Sequence, residues 1–163
     1  MNCFDNLDLA MKNLIKRGAF LTVKGDLGVN TMTIAWGYIG FSWNKPYFVA
    51  MVRPQRYTYE VLKSAQDFTV SIPYSDNMKN ALTICGTKSG RDINKEKEAN
   101  ISFSSSNIVS SPIVKDCNIY YECKITYIDK IDKDKFPNEL KKNYPLDDYH
   151  FLYYGEIVDC YQI

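Results

Sequence analysis

The chain has 163 residues, of which 45% are apolar and 24% charged, and it carries a formal net charge of +1. That length suits one domain, over residues 1–163, with a core that needs no metal or disulfide for stability. With 20 basic and 19 acidic residues, the charge balance gives no indication of the strongly cationic surface that nucleic-acid binding requires, so we expect no nucleic-acid partner. The 13 tyrosines, 8 phenylalanines and 2 tryptophans exceed what a small core easily buries, which indicates a ring-binding cleft, a subunit interface or both.

The five cysteines and the single histidine limit the chemistry further. The cysteines are odd in number and form no C-x-x-C pair, so reduced thiols in a cytoplasm are the simplest interpretation. Cys85 precedes a charged loop and is the one thiol with a redox alternative to a buried, inert role. One histidine excludes a multi-histidine metal site. The N-terminus lacks a signal-peptide pattern and no apolar run reaches membrane-spanning length, so we expect a cytoplasmic protein without membrane contact.

The first third of the chain predicts one helix followed by strands. Residues 5–17 repeat apolar side chains at helical spacing behind Asp5 and Asn6, either of which can cap a helix. Residues 24–28 supply turn chemistry between two strands. In chain order, the predicted elements are a helix over 5–17 and strands over 19–23, 30–36 and 47–52.

The remaining two thirds predict short helices between further strands. Gly86 is placed to end a helix over 78–85 as its C-cap, and the charged segment 87–100 predicts an exposed loop or a short helix. Several strands joined by turns, with only short helices, favour an antiparallel barrel with peripheral helices. In chain order, the elements are a helix over 57–65, a strand over 68–72, a helix over 78–85, strands over 101–104, 112–114 and 118–129, a helix over 136–143 and a strand over 150–160.

Residues 30–36, with the sequence NTMTIAW, alternate like a strand, with apolar bulk on one face and small polar side chains on the other. A surface of small polar side chains next to apolar bulk suits the binding of a flat heteroaromatic ring. A core strand that happens to alternate is the other interpretation. The candidate ring contacts are Asn30, Thr31, Met32, Thr33, Ala35 and Trp36.

A tight turn after the apolar run 47–52 carries Arg53, Arg56, Tyr57 and Thr58 and leads into a helix. Fixed guanidinium groups, hydroxyls and backbone N–H groups near a helix start are the donors that bind phosphate. A solvated turn in which Thr58 only caps the helix is the alternative.

A second anion-binding candidate follows in Ser89, Gly90 and Arg91, with Lys97 beyond them. Successive N–H groups of a Ser-Gly-Arg turn can surround an anion, although a disordered charged loop has the same composition. The two candidates together predict one phosphate site, and no second motif indicates an adenylate pocket. A phosphorylated flat cofactor is the joint expectation, and FMN fits it better than FAD.

Four blocks of sequence together resemble the flavin reductase-like, or flavoredoxin-type, FMN-binding proteins: NTMTIAW, RPQRYTYE, CGTKSGRD with Lys97 beyond it, and HFLYYGEI. They occur in the family's order, and the resemblance spans nearly the whole chain. The resemblance implies a mainly β fold with peripheral helices, a six-stranded antiparallel split β-barrel, and FMN as the cofactor. It also implies that amides of Met32 and Thr33 bond the pyrimidine edge of the flavin, and that Ser89, Gly90 and Lys97 contact its phosphate.

His150 begins the last of these blocks. A structural histidine bonded to a neighbour such as Asp148 is one interpretation. The resemblance instead places His150 beside the nicotinamide or flavin N5, where it is the candidate catalytic residue. Since hydride transfer needs orientation more than acid–base chemistry, its expected role is to position the nicotinamide.

The resemblance further implies an oxidoreductase that passes hydride or electrons from NAD(P)H through FMN to a second acceptor, such as free flavin, ferric iron or a protein. No G-x-G-x-x-G motif follows a strand, so we expect NAD(P)H to dock transiently. A homodimer with FMN at the subunit interface is implied as well. The alternatives are a non-enzymatic FMN electron carrier reduced by a protein partner, and a flavin-free barrel that serves as a binding module.

Overall fold

The computed structural model describes residues 2–163 and shows a mainly antiparallel β structure with short helices around it, which confirms the predicted class. The strands are β1 (Ala19–Gly25), β2 (Gly28–Ile34), β3 (Gly37–Ser42), β4 (Lys45–Val52), β5 (Asp67–Ile72), β6 (Phe103–Ser104), β7 (Ile113–Val114), β8 (Ile119–Lys130) and β9 (Phe151–Gln162). The helices are α1 (Leu7–Arg17), α2 (Tyr57–Leu62), α3 (Lys79–Thr87), α4 (Lys95–Ala99) and α5 (Asn138–Lys141), and a 3₁₀ turn covers Asp76–Met78.

The main sheet has the strand order β2-β1-β5-β8-β9-β4-β3, and each neighbouring pair is antiparallel. β2 and β4 stand near opposite ends of this order, yet they pack against each other, so the sheet curls round one core. Met32 of β2 and Phe48 of β4 belong to the same buried cluster as Phe68 and Tyr121 from the middle of the sheet. The inward side chains of the strands therefore fill a barrel interior. β6 and β7 form a separate two-stranded ribbon.

The main sheet contains seven strands rather than the expected six, and the unexpected strand is β3. Its sequence, GYIGFS, combines two glycines with exposed aromatic residues, so it lacks the apolar alternation of a half-buried strand. It pairs with β4 through a two-residue turn in which Trp43 and Asn44 have φ of 49° and 62°. Positive φ at both positions is the turn geometry that folds two strands back on each other. β3 is consequently an edge strand.

The strand expected over residues 30–36 is β2, which begins earlier and ends at Ile34. Ala35 and Trp36 lie in the link to β3, and Trp36 is 46% exposed. β2 pairs with β1 on one side and forms the other edge of the sheet. The edge strand therefore leaves its outward backbone groups without a neighbouring strand.

α3 continues through Gly86 to Thr87, so the C-cap expected at Gly86 is wrong. The glycine serves packing instead, because a Cβ there would lie 3.3 Å from Cβ of Thr33 on β2. Part of the charged segment 87–100 forms α4, whose cap is Asn94: its side-chain oxygen accepts from the backbone N–H of Lys97 at 3.1 Å. α3 thus packs against both β2 and α4.

The segment that joins β8 to β9, residues 131–150, includes α5 and folds back towards the end of β4. Arg53 anchors it, donating to the carboxylate of Asp148 at 2.7 Å and to the backbone oxygen of Asn143 at 2.8 Å. This segment brings His150 next to the residues that follow β2. Among residues 2–163 the longest helix has 11 residues, and none has the length and apolar character to span a bilayer.

Candidate cofactor-binding cleft

The carboxyl ends of β2 and β4 meet α3 and the start of β9 at a cleft of about 460 Å³, called here the main cleft. A smaller space of about 230 Å³, the basic cavity, lies beside α2 and the link between α3 and α4. Met32, Arg56 and Thr87 line both, so the two spaces adjoin. The wall of the main cleft includes Met32, Ile34, Trp36, Met51, Leu82 and His150.

The candidate ring contacts from the NTMTIAW block divide between these spaces. Met32, Thr33, Ala35 and Trp36 line the main cleft, where the hydroxyl of Thr33 donates to the backbone oxygen of Leu82 at 2.6 Å. Two others are buried behind the wall. Asn30 borders the basic cavity and donates from Nδ2 to Oγ1 of Thr58 at 2.8 Å, while the hydroxyl of Thr31 accepts from Thr22 at 2.9 Å.

The two arginines of the predicted phosphate turn have different environments. Arg56 stands at the junction of the two spaces and donates one N–H to the backbone oxygen of Gly86 at 2.8 Å. Arg53 lines the main cleft, but its guanidinium is bonded to the 131–150 segment and lies 4.8 Å from the ring centroid of Tyr144. Arg56 therefore borders both spaces, whereas Arg53 anchors the segment.

The Ser-Gly-Arg turn packs tightly on the basic cavity. A Cβ at Gly90 would lie 2.1 Å from Oδ1 of Asn30 and 2.9 Å from Cδ1 of Tyr57, so a larger residue would displace both. The side-chain oxygen of Ser89 accepts from the backbone N–H of Arg91 at 3.1 Å. The guanidinium of Arg91 lies 5.1 Å from the ring centroid of Tyr57. Ser89, Gly90, Tyr57 and Thr58 all border the basic cavity.

His150 is buried in the wall of the main cleft, with its ring centroid 5.3 Å from that of Trp36. Its Nδ1 lies 2.7 Å from the hydroxyl oxygen of Tyr144, so Tyr144 rather than Asp148 is its partner. The carboxylate of Asp148 is engaged by Arg53 and Gln55 instead. Burial, with Arg53 nearby, lowers the pKa of His150 from 6.5 to about 4, which keeps the imidazole neutral at physiological pH.

The Flavin reductase like domain family matches residues 11–163 of the chain. The chain belongs to this family. Its fold is that of the family's split barrel: an FMN-binding protein from Thermus thermophilus, solved with bound p-hydroxybenzaldehyde, superposes with a TM-score of 0.69 at 22% identity, over 90% of this chain and 71% of that one. Flavoredoxin from Desulfovibrio vulgaris (Miyazaki F) also superposes with a TM-score of 0.69, at 21% identity, over 90% of this chain and 69% of that one.

A curated relative, an uncharacterized protein from Archaeoglobus fulgidus, is 27% identical over 106 residues. That alignment covers 65% of this chain and 59% of the relative. The fold of this flavin reductase-like chain rests on the family match and the two superpositions.

Lys95 is a residue of the site that the sequence analysis missed. It is 8% exposed, and its Nζ donates to the backbone oxygens of Thr31 at 2.7 Å and Cys85 at 3.0 Å. Within residues 2–163, the structure contains no ion pair between Lys95 and a carboxylate. Burial lowers the pKa of Lys95, and Arg56 acts in the same direction while Cys85 opposes it. A buried cation bonded only to neutral oxygens provides a site for an anion.

Lys97, the lysine singled out in the sequence, is exposed on α4 and stands apart from the residues that border the two spaces. The spacing S-G-R-D-I-N-K could have pointed to Lys95, because it puts this lysine on the first residue of α4. Residues two positions apart on an α-helix lie on different sides of the helix, so Lys95 and Lys97 cannot both face the cavity.

The charges of the basic cavity are of one sign. Its lining contains four cationic side chains, and among the described residues that border it there is no carboxylate. Lys88 has a distant partner in Glu98 at 3.6 Å. The thiol of Cys85 also borders the cavity, and burial raises its pKa to about 11 against the influence of Lys95, so it stays protonated. The four cations are Arg56, Lys88, Arg91 and Lys95.

Proposed function

We propose that this flavin reductase-like chain binds FMN, with the ring in the main cleft and the phosphate in the basic cavity, and that it catalyses FMN-dependent oxidation of NAD(P)H. One observation carries the proposal: a cleft with apolar and aromatic walls adjoins a cation-rich cavity through the shared side chain of Arg56. A flavin mononucleotide has the same division, a flat ring at one end and one phosphate at the other. The two solved relatives described above are named an FMN-binding protein and a flavoredoxin, which supports the same ligand.

The residues present fit FMN at both ends. At the phosphate end, Lys95 and Arg56 offer charge-assisted donors, and the turn at Ser89 and Gly90 offers backbone N–H groups. At the ring end, alternate residues of the edge strand β2 direct their backbone groups away from β1. Thr31, whose backbone oxygen accepts from Lys95, is one of them. Thr33 therefore has its amide on the same outward side, where it can bond a pyrimidine edge, whereas the amide of Met32 faces β1. The small volume of the basic cavity favours one phosphate over the larger pyrophosphate of FAD.

When bound, FMN supplies a two-electron redox carrier, and the protein supplies binding and orientation. Trp36 and His150 form one wall of the main cleft and restrict how a nicotinamide can approach. His150 is neutral at physiological pH, so its contribution is hydrogen bonding and shape rather than proton transfer. The cleft is open to solvent on one side, which suits transient binding of NADH or NADPH followed by a second acceptor.

The proposal includes a homodimer. β3 is an edge strand, and Tyr38, Phe41 and Trp43 on and beside it are 44%, 62% and 68% exposed. Exposed aromatic residues concentrated along one edge indicate an interface more than a solvent-facing surface. Trp36, at the rim of the main cleft, joins this edge to the proposed flavin site. Sedimentation should give about twice the 18.8 kDa chain mass, and a monomer that retains FMN would contradict a shared site.

The decisive experiment is the absorption spectrum of the purified protein, before and after anaerobic addition of NADH or NADPH. We expect a bound flavin that co-migrates with FMN after heat release and whose visible absorption bleaches with one of the two nucleotides. Bleaching by dithionite but by neither nucleotide would identify an electron carrier reduced by a protein partner. Purification without flavin, and no uptake of added FMN, would overturn the proposal.

A further inference from the structure

Tyr144 forms a hydrogen bond with His150 in the wall of the main cleft. Its hydroxyl lies 2.7 Å from Nδ1 of His150, and both side chains are buried. We propose that Tyr144 is a positioning residue that holds His150 in the tautomer with the proton on Nε2, so that the main cleft is offered a hydrogen-bond donor. The tautomer is a property of the chain alone, whereas its use in orienting a substrate rests on the proposed function.

Two neutral arrangements are consistent with the 2.7 Å distance. In one, the hydroxyl of Tyr144 donates to an unprotonated Nδ1. In the other, Nδ1–H donates to the phenol oxygen, and the phenol proton must then find a second acceptor. Among the hydrogen bonds of residues 2–163, His150 is the sole partner of this hydroxyl. A buried O–H without an acceptor costs its full desolvation free energy, so the first arrangement is the stable one.

At neutral pH the surroundings of His150 disfavour its doubly protonated form. Three charged side chains act on the imidazole: Arg53 and Arg56, which oppose a second positive charge, and Asp148, which favours it. The carboxylate of Asp148 is already bonded to Arg53 at 2.7 Å, which weakens its influence on the ring. Together with burial, this leaves a neutral imidazole with one proton, and Tyr144 decides which nitrogen carries it.

The hydroxyl of Tyr144 is fixed because its ring is fixed. The ring stacks on Tyr149 at a centroid distance of 4.4 Å and an interplanar angle of 19°. Phe136 meets its edge at 5.5 Å, and the guanidinium of Arg53 lies 4.8 Å from its centroid. The aromatic cluster of the 131–150 segment therefore acts as a support that holds one donor against Nδ1.

The consequence for the cleft is chemical. With Nδ1 occupied by Tyr144, the remaining polar atom of His150 is Nε2–H, on a ring that lines the main cleft against Trp36. An N–H in this place favours ligand groups with an acceptor oxygen, such as the carbonyl of a carboxamide, and disfavours groups that only donate. The fixed tautomer would select a substrate by the oxygen that it presents.

The test uses the fact that His150 is the single histidine of the chain. A long-range ¹H–¹⁵N spectrum of the protein, without added flavin, contains one imidazole, and it distinguishes protonated from unprotonated nitrogen directly. At neutral pH we expect Nε2 protonated and Nδ1 bare. Protonation of Nδ1 alone, or of both nitrogens, overturns the proposal. This result does not depend on whether FMN binds.

Two variants then assign the effect to one hydroxyl. Tyr144→Phe should convert His150 to a mixture of tautomers, whereas Tyr149→Phe, which alters the neighbouring stacked ring, should leave the Nε2–H form unchanged. An unchanged spectrum in Tyr144→Phe would show that the hydroxyl does not set the tautomer. If that variant fails to fold, the wild-type spectrum still decides the first part.

Enzyme kinetics test whether the Nε2–H donor of His150 orients the nucleotide. If NAD(P)H oxidation is present, Tyr144→Phe should raise the KM for the nucleotide by about fivefold, the loss of roughly one hydrogen bond, with the FMN affinity unchanged. Tyr149→Phe should keep the wild-type KM. A loss of FMN affinity in Tyr144→Phe would indicate general damage to the cleft and contradict a positioning role. Absence of any nucleotide oxidation in the wild type would refute the proposed function and leave the tautomer result standing.

Discussion

The main cleft and the basic cavity adjoin at Arg56 but satisfy their polar groups in different ways. In the main cleft, Arg53 is paired with Asp148 and His150 is bonded to Tyr144, so the polar groups of the wall have protein partners. In the basic cavity, Lys95 has only two neutral backbone oxygens. Charges without carboxylate partners identify the end that needs a ligand, whereas paired groups form a prearranged wall. We therefore expect affinity to depend on the basic cavity and selectivity on the main cleft.

The largest expected effect comes from removing two cations of the basic cavity, Lys95 and Arg56. Lys95→Met combined with Arg56→Ala should weaken FMN binding by roughly 100-fold or more, since charge-assisted hydrogen bonds contribute about 1.5–3 kcal/mol each. Fluorescence titration of the flavin-free protein measures the dissociation constant.

The matched control for this pair is Lys97→Met, a second lysine of α4 that is exposed. Its FMN affinity should equal that of the wild type. If Lys97→Met loses affinity and Lys95→Met does not, Lys97 rather than Lys95 contacts the phosphate, as the family resemblance implies. Thermal unfolding of each flavin-free variant shows whether a lost affinity reflects a lost fold.

Gly90→Ala tests whether the Ser-Gly-Arg turn must approach the cavity closely. The added Cβ would lie 2.1 Å from Oδ1 of Asn30, so the turn has to move, and we expect a loss of FMN affinity of about tenfold, or roughly 1.4 kcal/mol. An FMN affinity equal to that of the wild type would mean that the turn does not form the phosphate site.

A smaller effect concerns the main cleft alone: the neutral His150 in its wall should make the stability of the fold depend on pH. The pKa of His150 is about 4 in the folded protein and 6.5 without the fold, so the unfolded chain binds more protons between these values. The stability contributed by neutral His150 is therefore complete above pH 6.5 and is lost as the pH falls towards 4. As the pH falls over this range, the free energy of unfolding measured with urea should decrease more steeply for the wild type than for His150→Gln. Parallel pH profiles would show that the imidazole is not buried.

The smallest expected effect concerns Cys85, the thiol at the border of the basic cavity. Because burial raises its pKa to about 11, native protein should resist alkylation at Cys85, and Cys85→Ala should bind FMN normally. Peptide mass spectrometry after iodoacetamide treatment measures this, with partly exposed Cys3 as an internal reference. Rapid labelling of Cys85 would contradict a buried, inert thiol and favour the redox role.

Local patterns were sufficient for most elements of the fold. The apolar repeat of α1 and the apolar run of β4 have clear periods, and both elements lie where the pattern predicts them. β3 cannot be predicted from such a pattern, because its aromatic residues are exposed and its strand conformation depends on pairing with β4. The end of α3 could not be predicted locally either. Gly86 lies within the helix, where the absence of a side chain allows α3 to pack closely on Thr33 of β2.

By itself, the sequence determined the class of the fold, the family, and the segments that border the candidate site. The tertiary structure alone decided which side chains serve it. Lys95 rather than Lys97 enters the cavity because α4 turns one of them inwards, and Arg53 binds Asp148, which lies far along the chain. Tyr144 meets His150 only because the 131–150 segment packs as an aromatic cluster. Segments follow from local periodicity, but partners of buried charges and rings follow from long-range packing, which no short pattern encodes.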